Sequence, residues 1–164
     1  PHQTGATGFF YIDDAGTPTI ATELRQHGYM TGVINKPGDT NPGPNGRKYW
    51  EVQENFGAAK KYSAAAIGEA SARFFGSVKD RQRPFYLVVN IADPHKPNFN
   101  DKEAQVSGAD AYAPSRIIAE GEVTVPAFLP DLPGIRRDVR NYQNSVKRAD
   151  DAVGKIMAAL RASG

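Results

Sequence analysis

Cysteine is absent from all 164 residues, which excludes a disulfide framework and any thiolate metal site and leaves the compartment open. Long apolar runs are also missing. No stretch approaches the length of a membrane span, and no signal-peptide pattern is visible within these residues. An excess of one charge is lacking too: 20 Lys and Arg face 18 Asp and Glu, leaving a formal +2. A balance so near neutrality, spread along the chain, offers neither nucleic acid nor an anionic membrane an electrostatic footprint. What is present, 40% apolar residues with 16 Gly and 12 Pro, describes one globular, loop-rich α/β domain covering residues 1–164. The chain starts at Pro1 without Met and stops after a helical pattern, so it is expected to be a central piece of a longer protein.

The pattern is organised around residues 83–98. From Phe85 to Ile91 the chain is almost continuously apolar and rich in β-branched and aromatic residues, which predicts a strand buried on both faces in the middle of a sheet. Asp93, Pro94, His95, Lys96 and Pro97 follow directly. Two prolines stiffen a turn that holds one imidazole at the carboxyl end of that strand, where open α/β sheets keep their sites.

Upstream, residues 1–16 have no sustained period, and adjacent Asp13 and Asp14 read as a solvated turn in preference to a metal pair. Thr17 and Pro18 start a helix over 18–27, with Ile20, Ala21 and Leu24 on one face and Gly28 closing it. Tyr29 to Ile34 is a strand that delivers Lys36. Pro37 to Pro44 runs over the surface, and Trp50 reads as a local core residue. Ser63 caps a helix from Ala64 to about Lys79, since Ile67, Ala70, Phe74 and Val78 recur on one face. The strand, helix, strand order from Tyr29 to Ile91 then fits a parallel crossover.

Residues 98–124 lack a period and read as a long surface excursion. Beyond the prolines at 126, 130 and 133, Ile135, Val139, Tyr142, Val146, Ala149, Val153, Ile156 and Leu160 alternate in steps of four and three. That spacing predicts a helix of about 28 residues with this stripe packed on a sheet. Arg136, Arg137, Arg140, Lys147 and Arg148 are interleaved with Asp138, Asp150 and Asp151, which reads as a solvated face.

Four of these stretches resemble the sulfatase family of the alkaline-phosphatase superfamily: the Asp93 to Pro97 turn, the unit from Pro18 to Lys36, the Val123 to Pro133 segment, and the order Tyr142, Val146, Asp150, Gly154, Leu160, Gly164. The subgroup with the closest look includes N-sulfoglucosamine sulfohydrolases. The resemblance implies a three-layer α/β/α sandwich with a mixed, mostly parallel sheet, here incomplete. It also implies hydrolysis of a sulfate ester or N-sulfate in a sulfated saccharide or small ester, by formylglycine beside a bound calcium, in a periplasmic or secreted enzyme.

By the same resemblance His95 is the proton donor or a sulfate contact, and Lys36 holds a sulfate oxygen. Two departures stand out: Asn35 replaces the glycine before the family's lysine, and Gly38 stands where its second histidine falls. Ala113-Pro114-Ser115-Arg116 echoes the nucleophile signature without its nucleophile, and Tyr112 stands two residues before the proline. Nucleophile and metal ligands are expected outside Pro1 to Gly164, so these residues alone are expected to be inactive and to hold no metal. The alternatives are a phosphonate or phosphate monoester hydrolase on the same scaffold, or a non-catalytic interaction domain.

Overall fold

The computed structural model describes residues 18–40 and 49–164. Asp13, Asp14 and the expected cap at Thr17 lie outside these residues. The described chain falls into two compact units. One is drawn from residues up to Asn55, Glu69–Asn90 and Ala159–Gly164, and the other from Phe56–Gly68 and Ile91–Ala158. No helix among the described residues is long and apolar enough to cross a membrane.

The first unit is built on a parallel sheet. Its strands are β1 (Met30–Ile34), β2 (Val52–Glu54) and β3 (Phe85–Val89), in the order β2–β1–β3. Helix α1 (Ile20–Gln26) begins two residues later than expected, because Thr19 is the cap: its hydroxyl accepts from the Thr22 amide while the Thr22 hydroxyl accepts from the Thr19 amide. Gly28, at φ +87°, closes the helix in the left-handed region that favours glycine. β1 is buried at every position, whereas β3 carries an exposed Phe85 and four half-buried residues. The expectation that β3 lies mid-sheet is therefore corrected: β1 holds the centre and β3 an edge of the described sheet. An apolar run identifies a strand but not its place in the order, which depends on partners distant in sequence. β2 was not foreseen, since three half-buried residues give no period to read.

Alternation along β1 sends its side chains to two cores. Val33 packs with Ala21, Tyr49 and Trp50, and Tyr86 and Val88 close against them. Met30 packs with Phe74 and Phe75 of helix α2 (Ala64–Arg81), joined by Val52, Val78, Leu87, Ala159 and Leu160. Phe74 can lie across the strand because Gly32 has no side chain: a Cβ there would stand 2.4 Å from Phe74 Cε2. At the amino ends of the strands Arg83 acts as a staple, donating to the Gly28 and Tyr29 carbonyls at 2.8 and 2.7 Å and to both Glu51 carboxylate oxygens. Those donors hold the Glu51 carboxyl below the usual carboxylate range.

The second unit is organised by helix α4 (Pro133–Ser163), which contributes its residues as far as Ala158. Its buried positions there are Asn141, Asn144, Ser145, Arg148 and Ala152, while Tyr142, Val146 and Val153 are 48, 42 and 47% exposed. The expected apolar packing stripe is thus corrected, and so is the reading of Arg148 as solvated. The reason lies in residues 91–124, which carry only helix α3 (Lys102–Ser107) and short 3-10 turns, and so leave many backbone groups without regular partners. Polar side chains of α4 supply them. Ser145 Oγ accepts from the Phe99 amide at 2.8 Å, and Asn144 accepts from the Ile118 amide at 2.8 Å and donates to its carbonyl at 3.3 Å.

Substituting Gly32→Ala is predicted to lower stability by about 1–3 kcal/mol, because Phe74 must leave its rotamer. Urea unfolding of the two forms checks this, and an unchanged midpoint contradicts the packing described.

Candidate functional site

β1 and β3 run parallel in register from Met30 opposite Phe85 to Ile34 opposite Val89, so their carboxyl ends are level. The register continues one residue further through side chains. Asn35 Nδ2 donates to the Asn90 carbonyl at 2.9 Å, Asn90 Nδ2 donates to the Asn35 carbonyl at 2.8 Å, and the Asn35 amide reaches the Glu54 carbonyl at 2.6 Å. Asn35 is 1% exposed at φ 63°, and Lys36 follows at φ 49°. The position that resembles a family glycine thus needs the left-handed region, and asparagine tolerates it better than other residues with a side chain. This clamp turns the chain sharply and leaves Lys36 exposed just past the end of the central strand. Two residues on, where the resemblance places a second histidine, a Cβ at Gly38 would meet nothing within 4 Å among the described residues.

In the second unit the turn from Ala92 to Pro97 presents His95 to solvent, its amide held by the Ala92 carbonyl at 3.1 Å. His95 Nδ1 lies 2.6 Å from the Lys96 carbonyl oxygen. A carbonyl only accepts, so Nδ1 carries the proton and Nε2 is the atom left for chemistry.

Asp93, two residues before, is not available. Both its oxygens are taken by Arg148, at 2.6 Å from Nε and 2.9 Å from Nη2, with both side chains 2% exposed. The same guanidinium donates through Nη1 to the Ala109 and Tyr112 carbonyls at 2.9 and 3.0 Å, and its carbon stands 4.7 Å from the Tyr62 ring centre and 5.5 Å from that of Phe99. Burial, with the Asp93 charge adding to it, pushes the Tyr62 hydroxyl above its ordinary range. Asp93 is therefore the anchor of the His95 turn and neither a general base nor a metal ligand.

Lys36 and His95 belong to different units, and neither lines the cavity of about 850 Å³ that includes Arg25, Pro37, Trp50 and Arg81. Ser115 and Arg116 of the echoed signature have local partners: Ser115 donates to Asp151 from its amide and its hydroxyl, each at 2.7 Å, and Arg116 pairs with Glu122. Among the described residues no group of three or more His, Cys, Asp or Glu could hold a metal ion.

A parallel three-stranded sheet with its strands level, accompanied by helices α1 and α2, makes the first unit an α/β fold. The sulfatase family model matches residues 2–164, and the chain belongs to the sulfatase family. It is similar to N-sulphoglucosamine sulphohydrolase of Homo sapiens, 28% identical over 155 residues that cover 86% of this chain and 30% of the relative. The chain thus spans 30% of the length of the curated relative it matches.

Arg148→Met is predicted to destabilise the second unit by about 3–5 kcal/mol, since it strands the Asp93 carboxylate in a dry site. Lys147→Met, which removes an exposed pair with Asp150 and a half-buried one with Asp151, strands no charge in a dry site and should cost much less. Chemical unfolding of both variants decides, and equal midpoints would contradict the anchor.

Proposed function

We propose that this chain is part of a sulfuric ester or N-sulfate hydrolase, periplasmic or secreted, acting on a sulfated saccharide or small sulfate ester. In this reading Lys36 holds a sulfate oxygen and His95 donates a proton to the leaving atom. The observation that carries it is the level end of β1 and β3, fixed by the Asn35–Asn90 clamp, from which both residues follow along the chain. Family membership and the similarity to a sulphohydrolase supply the class of reaction.

Cleavage of a sulfate ester leaves negative charge on the leaving oxygen and on the transferred group. An ammonium at a strand end is a mobile point charge that neutralises part of the latter. His95, with Nδ1–H held by the Lys96 carbonyl, presents Nε2 in one fixed direction. Its imidazolium form delivers the Nε2 proton to the departing oxygen or nitrogen. Formylglycine would supply the attacking oxygen and calcium the further neutralisation of charge.

In the sulfatase that contains this chain, His95→Ala is predicted to lower kcat by about 100-fold or more, the usual worth of a general acid. Lys36→Ala should chiefly raise KM. Turnover of an aryl sulfate checks both. Unchanged rates for the two variants would remove the proposal, and faster turnover of an aryl phosphate would move it to phosphate monoesters.

A further inference from the structure

Helix α4 buries a polar face and leaves its apolar one bare. Tyr142, Val146, Val153 and Met157 are all exposed, Met157 to 39%, and Ala149 and Ile156 between them are half-buried. Steps of four and three keep these side chains on one side of the helix, over about 22 Å of its length. None of these positions carries a charge. Water is a poor neighbour for such a row, and an apolar strip of this extent on a folded protein marks a surface that meets another.

Both ends of the row continue into surfaces of the fold. Toward the carboxyl end the next member, Leu160, packs with Ala159 against Met30, Phe74 and Phe75 of the first unit. Toward the amino end Ile135 and Val139 line a groove of about 600 Å³ together with Pro126 and Leu129. A straight row whose last member already sits in the core is buried by a surface that carries on from that core. The matched residues make up 30% of the similar sulphohydrolase, so a protein of this family has chain enough to supply such a surface. We propose that the bare row of α4 is an internal contact of the sulfatase, covered by an apolar, uncharged segment of the same polypeptide from outside residues 1–164. The helix is then buried on two sides: Asn144 and Ser145 serve the backbone of residues 91–124 on one, and the rest of the enzyme packs on the other. The proposal rests on family membership and not on the roles given to Lys36 and His95.

The two methionines of the chain provide the probe, since Met30 is fully buried in the first unit and Met157 stands on the bare row. Peroxide transfers one oxygen atom to an accessible thioether, giving the sulfoxide and water. The intact sulfatase is treated with dilute hydrogen peroxide, and the peptides carrying the two residues are followed by mass spectrometry. Both should oxidise at least about tenfold more slowly than in the urea-unfolded enzyme, with Met157 within about threefold of Met30. Met157 oxidising as fast as in the unfolded enzyme overturns the proposal. Val153→Asp, which puts a carboxylate into the row, should unfold at lower urea while the folded species keeps its native mass by ultracentrifugation. Where that variant does not accumulate, the isosteric Val153→Thr carries the same expectation. An unchanged urea midpoint gives the row to solvent, and a folded Val153→Asp enzyme of half the native mass gives it to a second copy; either overturns the proposal. Neither failure touches the reading of Lys36 and His95, which turnover of an aryl sulfate tests separately.

Discussion

The pairing of Arg148 with Asp93 is the constraint on which the second unit depends. A guanidinium that is 2% exposed makes two hydrogen bonds to one carboxylate and two to loop carbonyls, and is sandwiched near two aromatic rings. Breaking such a pair leaves a charge in a dry site, which costs more than the pair contributes when intact. The consequence is positional. Asp93 is fixed, and His95 is two residues away in a turn whose next residues, Asn98 and Phe99, are held by Asp101 and by Ser145 of α4. The histidine gains a fixed position without being buried itself.

The first unit solves the same problem differently. Its strands are aligned at their amino ends by Arg83 and at their carboxyl ends by two asparagines that exchange amide and carbonyl bonds. Asn35 both tolerates the left-handed turn and continues the ladder, so one substitution for a family-like glycine meets the backbone requirement and adds one side-chain hydrogen bond, from Nδ2 to the Asn90 carbonyl. Lys36 owes its location past the sheet end to that turn.

The elements were largely legible. Ser63 caps α2 as its sequence implies, with Oγ accepting from the Ala66 amide at 3.1 Å, and β1, β3 and α4 fall where periodicity puts them. Parallel pairing followed from a helix between two apolar runs. The errors share a cause, which is dependence on partners far along the chain. Whether β3 is central or at an edge cannot be read from its own composition. Arg148 and Asp93 are 55 residues apart, and each sits among other charges, so either alone looks solvated. The buried face of α4 is polar because it serves an irregular loop, and a rule that equates buried with apolar points to the wrong side of that helix. Of the site, the strand-end lysine and the turn histidine were visible as residues; the Arg148–Asp93 anchor behind the histidine was not.

The central claim is that the buried Arg148–Asp93 pair holds the turn that carries His95. The most direct measurement is amide hydrogen exchange of His95 in the native chain and in Arg148→Met. The account predicts that the His95 amide, bonded to the Ala92 carbonyl, exchanges at least about tenfold faster in the variant. Equal exchange in the two forms would contradict the account.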